Sequence, residues 1–142
     1  MKRLSIAALQ QRQFKAPVTA LLPGETLKDG VLQYESLHFM GVFRSIPADE
    51  ARANLKRIEE LRNKASLDEV LGESVRQTKS YIVGIEKHPD HEWPFADAEG
   101  KDAVITPEAI EQLLNVREVR DAIEKTYADA RSGELLAKNS RT

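Results

Sequence analysis

The stretch TPEAIEQLLNVREVRDAIEKTYADARSGELLAKN, residues 106–139, is where the order in this chain is clearest. The Thr106 hydroxyl suits a helix N-cap, and Pro107 suits the first helical position, where no backbone donor is needed. Ile110, Leu113 and Leu114 then fall on one face at helical spacing, and after a softer point at Asn115 the apolar positions resume as Val119, Ile123, Tyr127 and Ala130. The spacing predicts two helical segments, the second stopping near Gly133, after which the residues turn polar and basic. This chemistry describes a scaffold. It does not by itself name an activity.

Outside that stretch, composition sets the bounds. A chain of 142 residues is long enough for one domain with its own core. It contains no cysteine, which excludes disulfides and thiolate zinc sites. The 21 basic and 23 acidic side chains nearly cancel, leaving a net charge of -2. That balance describes a mixed-charge surface rather than a nucleic-acid footprint. The N-terminal segment MKRLSIAALQQRQF has a basic start and a short apolar run, but Ser5 and the glutamine-rich tract 10–13 break it, so it is not read as a secretory signal. No stretch approaches the roughly 20 apolar residues that cross a bilayer. A soluble protein without a membrane partner is expected.

Moving back from Thr106, residues 86–104 read EKHPDHEWPFADAEGKDAV and show no helical period. A loop of that length is commonly functional or mobile. Within it Trp93 and Phe95 flank Pro94, and loop anchoring outweighs a binding role for the pair. Before the loop, Pro47 opens a helix with Asp49 and Glu50 in its first turn, and Ala51, Leu55, Ile58, Leu61 and Ala65 form a narrow apolar stripe expected to pack. Glu60 and Lys64 make a pair on its exposed side. Ser66 and Glu69 form a capping box for the next helix, whose expected buried face is Leu67, Val70, Leu71, Val75, Thr78, Ile82 and Ile85, with Gly84 ending its regular part.

The N-terminal third carries strand signals instead. Residues 15–22 read as a short strand that Pro17 confines to a sheet edge or a strand start. In PGETLKDG, Gly24 and Asp29-Gly30 are expected to supply the positive φ of a reversal. Residues 31–43 alternate, with Leu37, Phe39 and Phe43 on one side and His38, Met40 and Val42 on the other, and Gly41 marks a bulge or a close approach. The expected fold is therefore α+β, a mainly α-helical single domain with an N-terminal β-hairpin. Residues 1–14 form an arm or a short helix, 15–43 the hairpin, 44–133 the helical part and 134–142 a tail.

Catalytic chemistry has no positive signal. His88, Asp90, His91 and Glu92 are the one cluster resembling a metal or acid/base site, but Pro89 breaks the helix that would put both imidazoles on one face, so a solvated loop is the better reading. There is no nucleophile elbow, phosphate loop or dinucleotide fingerprint. No catalytic residue, metal ligand or cofactor is assigned. The helix pair of residues 107–115 and 116–132 invites comparison with a helix-turn-helix DNA reader. Glu118, Asp121, Glu124 and Asp129 offset Arg117, Arg120 and Lys125 there, which leaves little attraction for phosphates.

The order of parts, however, is distinctive. A short N-terminal β region is followed by VFRSIPADEA, a capped helix running into YIVGI, an acidic loop containing Gly, ITPEAIEQLL, VREVRDAIEKTYADA and a terminal KN. From residue 31 to 139 this combination resembles the tail assembly chaperones of long-tailed, siphovirus-type bacteriophages. A departure is Ile85 after the Val83-Gly84 pair, where the family often has Trp; here Trp93 stands further on. The resemblance implies a non-catalytic assembly factor of the host bacterial cytoplasm, absent from the mature virion. It would bind the long helical tape-measure protein, help recruit tail tube subunits and self-associate into oligomers or an open spiral. On that reading the candidate partner-binding residues are Leu55, Ile58, Trp93, Phe95 and Tyr127. The family's programmed frameshift makes Lys138-Asn139 a place to look for a slippery codon run. The alternative reading is the small helix-turn-helix-like DNA-binding regulator, and a third is a metal-dependent hydrolase using residues 88–92.

Overall fold

Alternation in the N-terminal third builds two long antiparallel strands, β1 (Gln13–Lys28) and β2 (Val31–Arg44), in the computed structural model, which describes residues 3–64 and 66–132. Asp29 at φ 54 and Gly30 at φ 77 form the two-residue reversal between them. Two successive positive φ values match the right-handed twist of the flanking strands, and Asp-Gly is a preferred pair for them. The register pairs Ala16 with Gly41, Val18 with Phe39 and Ala20 with Leu37, so the small and branched residues of β1 and the aromatics of β2 share the inner face.

The expected strand of residues 15–22 proves too short. β1 runs on through Pro23 and Gly24, with its pairing shifted between Pro23 and Leu27. Gly24 is not at positive φ; a β-carbon there would stand 2.7 Å from the Gln33 carbonyl oxygen, so the glycine serves close approach of two backbones rather than a turn. The pattern missed this because Pro-Gly is a turn signal wherever strand pairing does not override it. Pro17 and Pro23 have the same parity along β1, which is an edge strand whose one neighbour in the sheet is β2. A residue without an N–H is tolerated on the unpaired side, and two of them blunt that edge against further strands.

After β2 come α2 (Ala48–Lys64) and α3 (Leu67–Tyr81), and α3 passes directly into a third strand, β3 (Ile82–Lys87), antiparallel to β2. This corrects the expected continuation of the helix to residue 85. Val75, Thr78, Ile82 and Ile85 satisfy a helical period, but Ile82-Val83-Gly84-Ile85 is also a β-branched run. The exposed edge of β2 decides between the two, because a two-stranded ribbon is marginal in water and a third strand pairs its open side.

A short α1 (Ile6–Gln10) precedes the sheet, with the Ser5 hydroxyl accepting from the Ala8 amide at 3.0 Å. At the other end stand α4 (Pro107–Leu114) and α5 (Arg117–Ser132). Thr106 accepts from the Ala109 amide at 3.2 Å, Pro107 opens α4, and Asn115 caps its end, as the sequence predicts. Ile110, Leu114, Val119, Ile123 and Tyr127 close over the inner sheet face with Val18, Phe39 and Phe43. Each buried side chain of this size contributes roughly 1.5–3 kcal/mol. The described residues thus form a small α+β domain with a three-stranded antiparallel sheet and five helices. None of those helices is long and apolar enough to cross a membrane. The expected stop at Gly133, the 134–142 tail, the Lys138-Asn139 signal, Ala65 of the apolar stripe and the Glu60–Lys64 pair lie outside the described residues and side chains.

Candidate partner-binding surface

The helical hairpin of α2 and α3 departs from its sequence reading in a way that matters for function. No described side chain of α2 is fully buried, and α2 packs against α3 rather than the sheet. Leu55, expected to pack, is 65% exposed; Ala51, Ile58 and Leu61 are half-buried. On α3, Leu67 is 74% exposed and Leu71 also faces solvent, whereas Thr78 and Tyr81 at the C-terminal end are buried. The reason is geometric: only the end of α3 nearest β3 lies over the core, so the apolar period continues past the point where the domain covers it.

Polar contacts hold this hairpin in place. Ser66 accepts from the Glu69 amide at 3.3 Å, and the Glu69 carboxylate lies 3.5 Å from the Ser66 hydroxyl, which gives the expected cap with its return contact made to the side chain. Glu73 is buried and accepts from Arg76 and from Gln77 Nε2 at 3.1 Å, with Arg57 of α2 at 3.4 Å. The Arg76 hydrogen bond leads in holding the Glu73 carboxyl down at about 2, against the opposing effect of burial. Gln77 also donates to the Asn54 carbonyl at 3.1 Å. Arg44, at the end of β2, donates to the Ser80 carbonyl and bridges Glu50 at 2.6 Å.

Where α2 meets the body of the domain there is a recess of about 290 Å³ lined by Ile46, Ala51, Asn54, Leu55, Gln77, Tyr81, Tyr127 and Arg131. Its floor is aromatic: Tyr81 and Tyr127 stack with centroids 3.9 Å apart, and Phe43 and Phe14 lie against Tyr127 at 5.6 and 6.0 Å. The Tyr127 hydroxyl accepts from the Ile46 amide at 3.1 Å and from Arg131 at 3.1 Å, and donates to the Arg44 carbonyl at 3.2 Å. Burial pushes the Tyr81 phenol well above its ordinary range, so it stays neutral. The recess therefore offers an apolar floor, a leucine wall and a guanidinium rim.

Among the sequence candidates, Leu55 and Tyr127 are brought to this recess, and Ile58 stands one turn beyond Leu55 on the same helix. Trp93 and Phe95 are not among its lining residues. Trp93 Nε1 donates to the Ala103 carbonyl at 3.1 Å, and Phe95 packs on Phe39 with centroids 5.4 Å apart, so both pin the loop after β3. That loop closes on itself through Asp97, which accepts from the amides of Glu99 and Lys101 at 2.9 and 3.0 Å. Tyr81, which sequence reasoning did not single out, follows Thr78 at helical spacing; Arg131, which the sequence groups with Lys138 and Arg141 as a frayed basic end rather than a contact surface, instead follows Tyr127 by one turn of α5 and lines the recess.

A second apolar surface lies at the far end of the sheet. Beyond the helices, β1 and β2 continue as a two-stranded ribbon on which Leu21, Leu27, Val31 and Tyr34 are exposed, Leu27 by 68% and Tyr34 by 62%. On the outer face of the sheet all three histidines of the chain meet: His38 stacks on His91 at 3.8 Å, with His88 at 4.8 Å from His91. His88 Nδ1 accepts from the Asp90 amide at 3.0 Å, which puts the proton of the neutral ring on Nε2 and leaves that ring no free lone pair for a cation. Among the described residues no group of three or more His, Asp or Glu is disposed to hold a metal ion.

What the fold and this surface define is a small α+β domain with an apolar helix face that is covered only in part. Compared with family models, curated proteins and solved structures, the chain matches none.

Proposed function

We propose that this chain is a non-catalytic assembly factor of the tail-assembly-chaperone kind, which covers an apolar stripe on the helical tape-measure protein and helps to recruit tail tube subunits. The observation that carries the reading is α2, an amphipathic helix whose apolar stripe its own domain covers only in part, with Leu55 exposed beside the Tyr81–Tyr127 recess. Helix-in-groove recognition needs this arrangement: a line of anchors at helical spacing beside a preformed apolar hollow. A long helix with a bare apolar stripe aggregates through it, so a protein offering a matching stripe keeps it dispersed. The exposed ribbon of Leu27, Val31 and Tyr34 supports self-association of many copies along one extended partner, since head-to-tail contacts generate open spirals. Such a factor acts in the host bacterial cytoplasm and leaves before the virion is complete.

The DNA-binding alternative draws less support from α5, where Arg117 and Lys125 are paired with Asp121 and Asp129 at 3.6 and 2.8 Å. The direct test is binding to a labelled tape-measure segment. Leu55→Asp and Ile58→Asp are expected to weaken it about tenfold each, as loss of an interface anchor does. Unchanged affinity in both variants would remove the proposed surface.

A further inference from the structure

We infer that the segment docking on α2 is an acidic amphipathic helix, its apolar stripe bordered by aspartate or glutamate, because arginines rim the surface that receives it; this rests on the reading of α2 as the partner surface. Arg52 stands three residues before Leu55 and Arg62 seven after it, so both share the side of α2 that Leu55 exposes, and both are themselves exposed. Glu59, four residues after Leu55, is the carboxylate that accompanies them there. Across the recess stands Arg131 of α5. Behind it a second hollow of about 380 Å³, lined by Arg12, Phe14, Ser45, Ala130 and Arg131, continues the first. The two share Arg131, and the Phe14 ring of one floor lies 6.0 Å from the Tyr127 ring of the other. Among the described residues no carboxylate lines either hollow.

These cations are available to a partner. Among the described residues none of Arg12, Arg52, Arg62 and Arg131 makes an ion pair, whereas Arg44, Arg57 and Arg76 are engaged by Glu50 and Glu73. Arg131 is also held in place. Its Nη1 donates to the Ile46 carbonyl at 3.2 Å and to the Tyr127 hydroxyl at 3.1 Å, and its guanidinium lies 5.7 Å from the Tyr127 ring centroid. Those bonds leave Nε and Nη2 to meet a carboxylate, whose two oxygens match the guanidinium fork. Exposed charges add little to folding stability. Four arginines around an apolar anchor, in a chain whose net charge is -2, therefore point to recognition. A rim of one sign steers a partner of the opposite sign and rejects its own. Phosphates would satisfy arginines too, but they gain nothing from a leucine wall and an aromatic floor; an apolar helix bearing carboxylates uses both.

The test uses two labelled synthetic helical peptides with the same leucine stripe, one bordered by glutamate and the other by lysine, matched for helicity and titrated with the full chain. The wild type is expected to bind the glutamate peptide about tenfold more tightly at low salt, the reverse of what its net charge favours. That preference is expected to shrink in about 1 M salt, where screening acts within about 3 Å. Arg12→Gln, Arg52→Gln and Arg62→Gln, combined in one chain, are expected to lower it to about threefold or less with unchanged circular dichroism. Leu55→Ala, which removes the anchor without adding charge, is expected to weaken both peptides. Equal affinity of the wild type for the two peptides, or a preference that survives the triple variant, would overturn the acidic partner; if Leu55→Ala still weakened both, the partner surface itself would stand. Binding of neither peptide, or binding that Leu55→Ala leaves unchanged, would overturn that surface and this inference with it. Tighter binding of a duplex oligonucleotide than of the glutamate peptide, lost in the triple variant, would assign the arginines to phosphate and overturn the inference as well.

Discussion

A β-carbon added at Gly41 would stand 2.6 Å from two atoms of the Phe43 ring, and that ring is fully buried with no room to yield. Gly41→Ala is therefore expected to cost about 1–3 kcal/mol, read as a lower urea midpoint at unchanged slope. Tyr127→Phe keeps the stack on Tyr81 but strands the Ile46 amide, and an expected loss of about 1–2 kcal/mol would show in the same measurement. Glu73 adds a pH signature. Its folded pKa of about 2 lies below the ordinary 4.5, so its stabilisation is complete above the ordinary value and disappears as pH falls from there through about 2. Glu73→Gln should cost roughly 1–3 kcal/mol at pH 7, and the gap to the wild type should close on acidification across that window. A gap that stays constant down to pH 2 contradicts this account of Glu73. At this scale the caps were legible, because Ser66 and Thr106 act on neighbours three residues away. The contact of Glu73 with Arg57 and that of Tyr127 with Ile46 were not, because these partners are fixed only by how elements pack.

Among the elements, α5 and α4 could be read almost residue by residue, since their apolar periods coincide with the face that the sheet covers. β3 could not, because Ile82 and Ile85 fit a helical and an extended pattern equally, and the open edge of β2 made the choice. The α2 stripe was visible as a pattern, but periodicity reports only that a face is apolar and says nothing about what covers it. Here the domain does not cover Leu55, and this separates two roles that look alike in sequence. Leu55→Asp is accordingly expected to leave the unfolding midpoint within about 0.5 kcal/mol of the wild type, as for an exposed position, while weakening partner binding. A large loss of stability would show instead that Leu55 belongs to the core.

For the whole molecule, the two apolar surfaces have different consequences. On the proposed reading, Leu55 of α2 and the recess beside it take a helical partner, and the ribbon with Leu27, Val31 and Tyr34 takes another copy. Leu27→Lys with Tyr34→Lys should reduce the sedimentation coefficient of concentrated samples without loss of helix or sheet signal, because both side chains project into solvent. An unchanged coefficient in a wild type that does associate would place self-association elsewhere. The measurement closest to the central proposal is co-expression of the chain with its cognate tape-measure protein, scored by the soluble fraction of that partner. The account predicts that the tape-measure protein stays soluble with the wild-type chain and precipitates with Leu55→Asp/Ile58→Asp; equal solubility with the wild type, the double variant and no chain at all would contradict it.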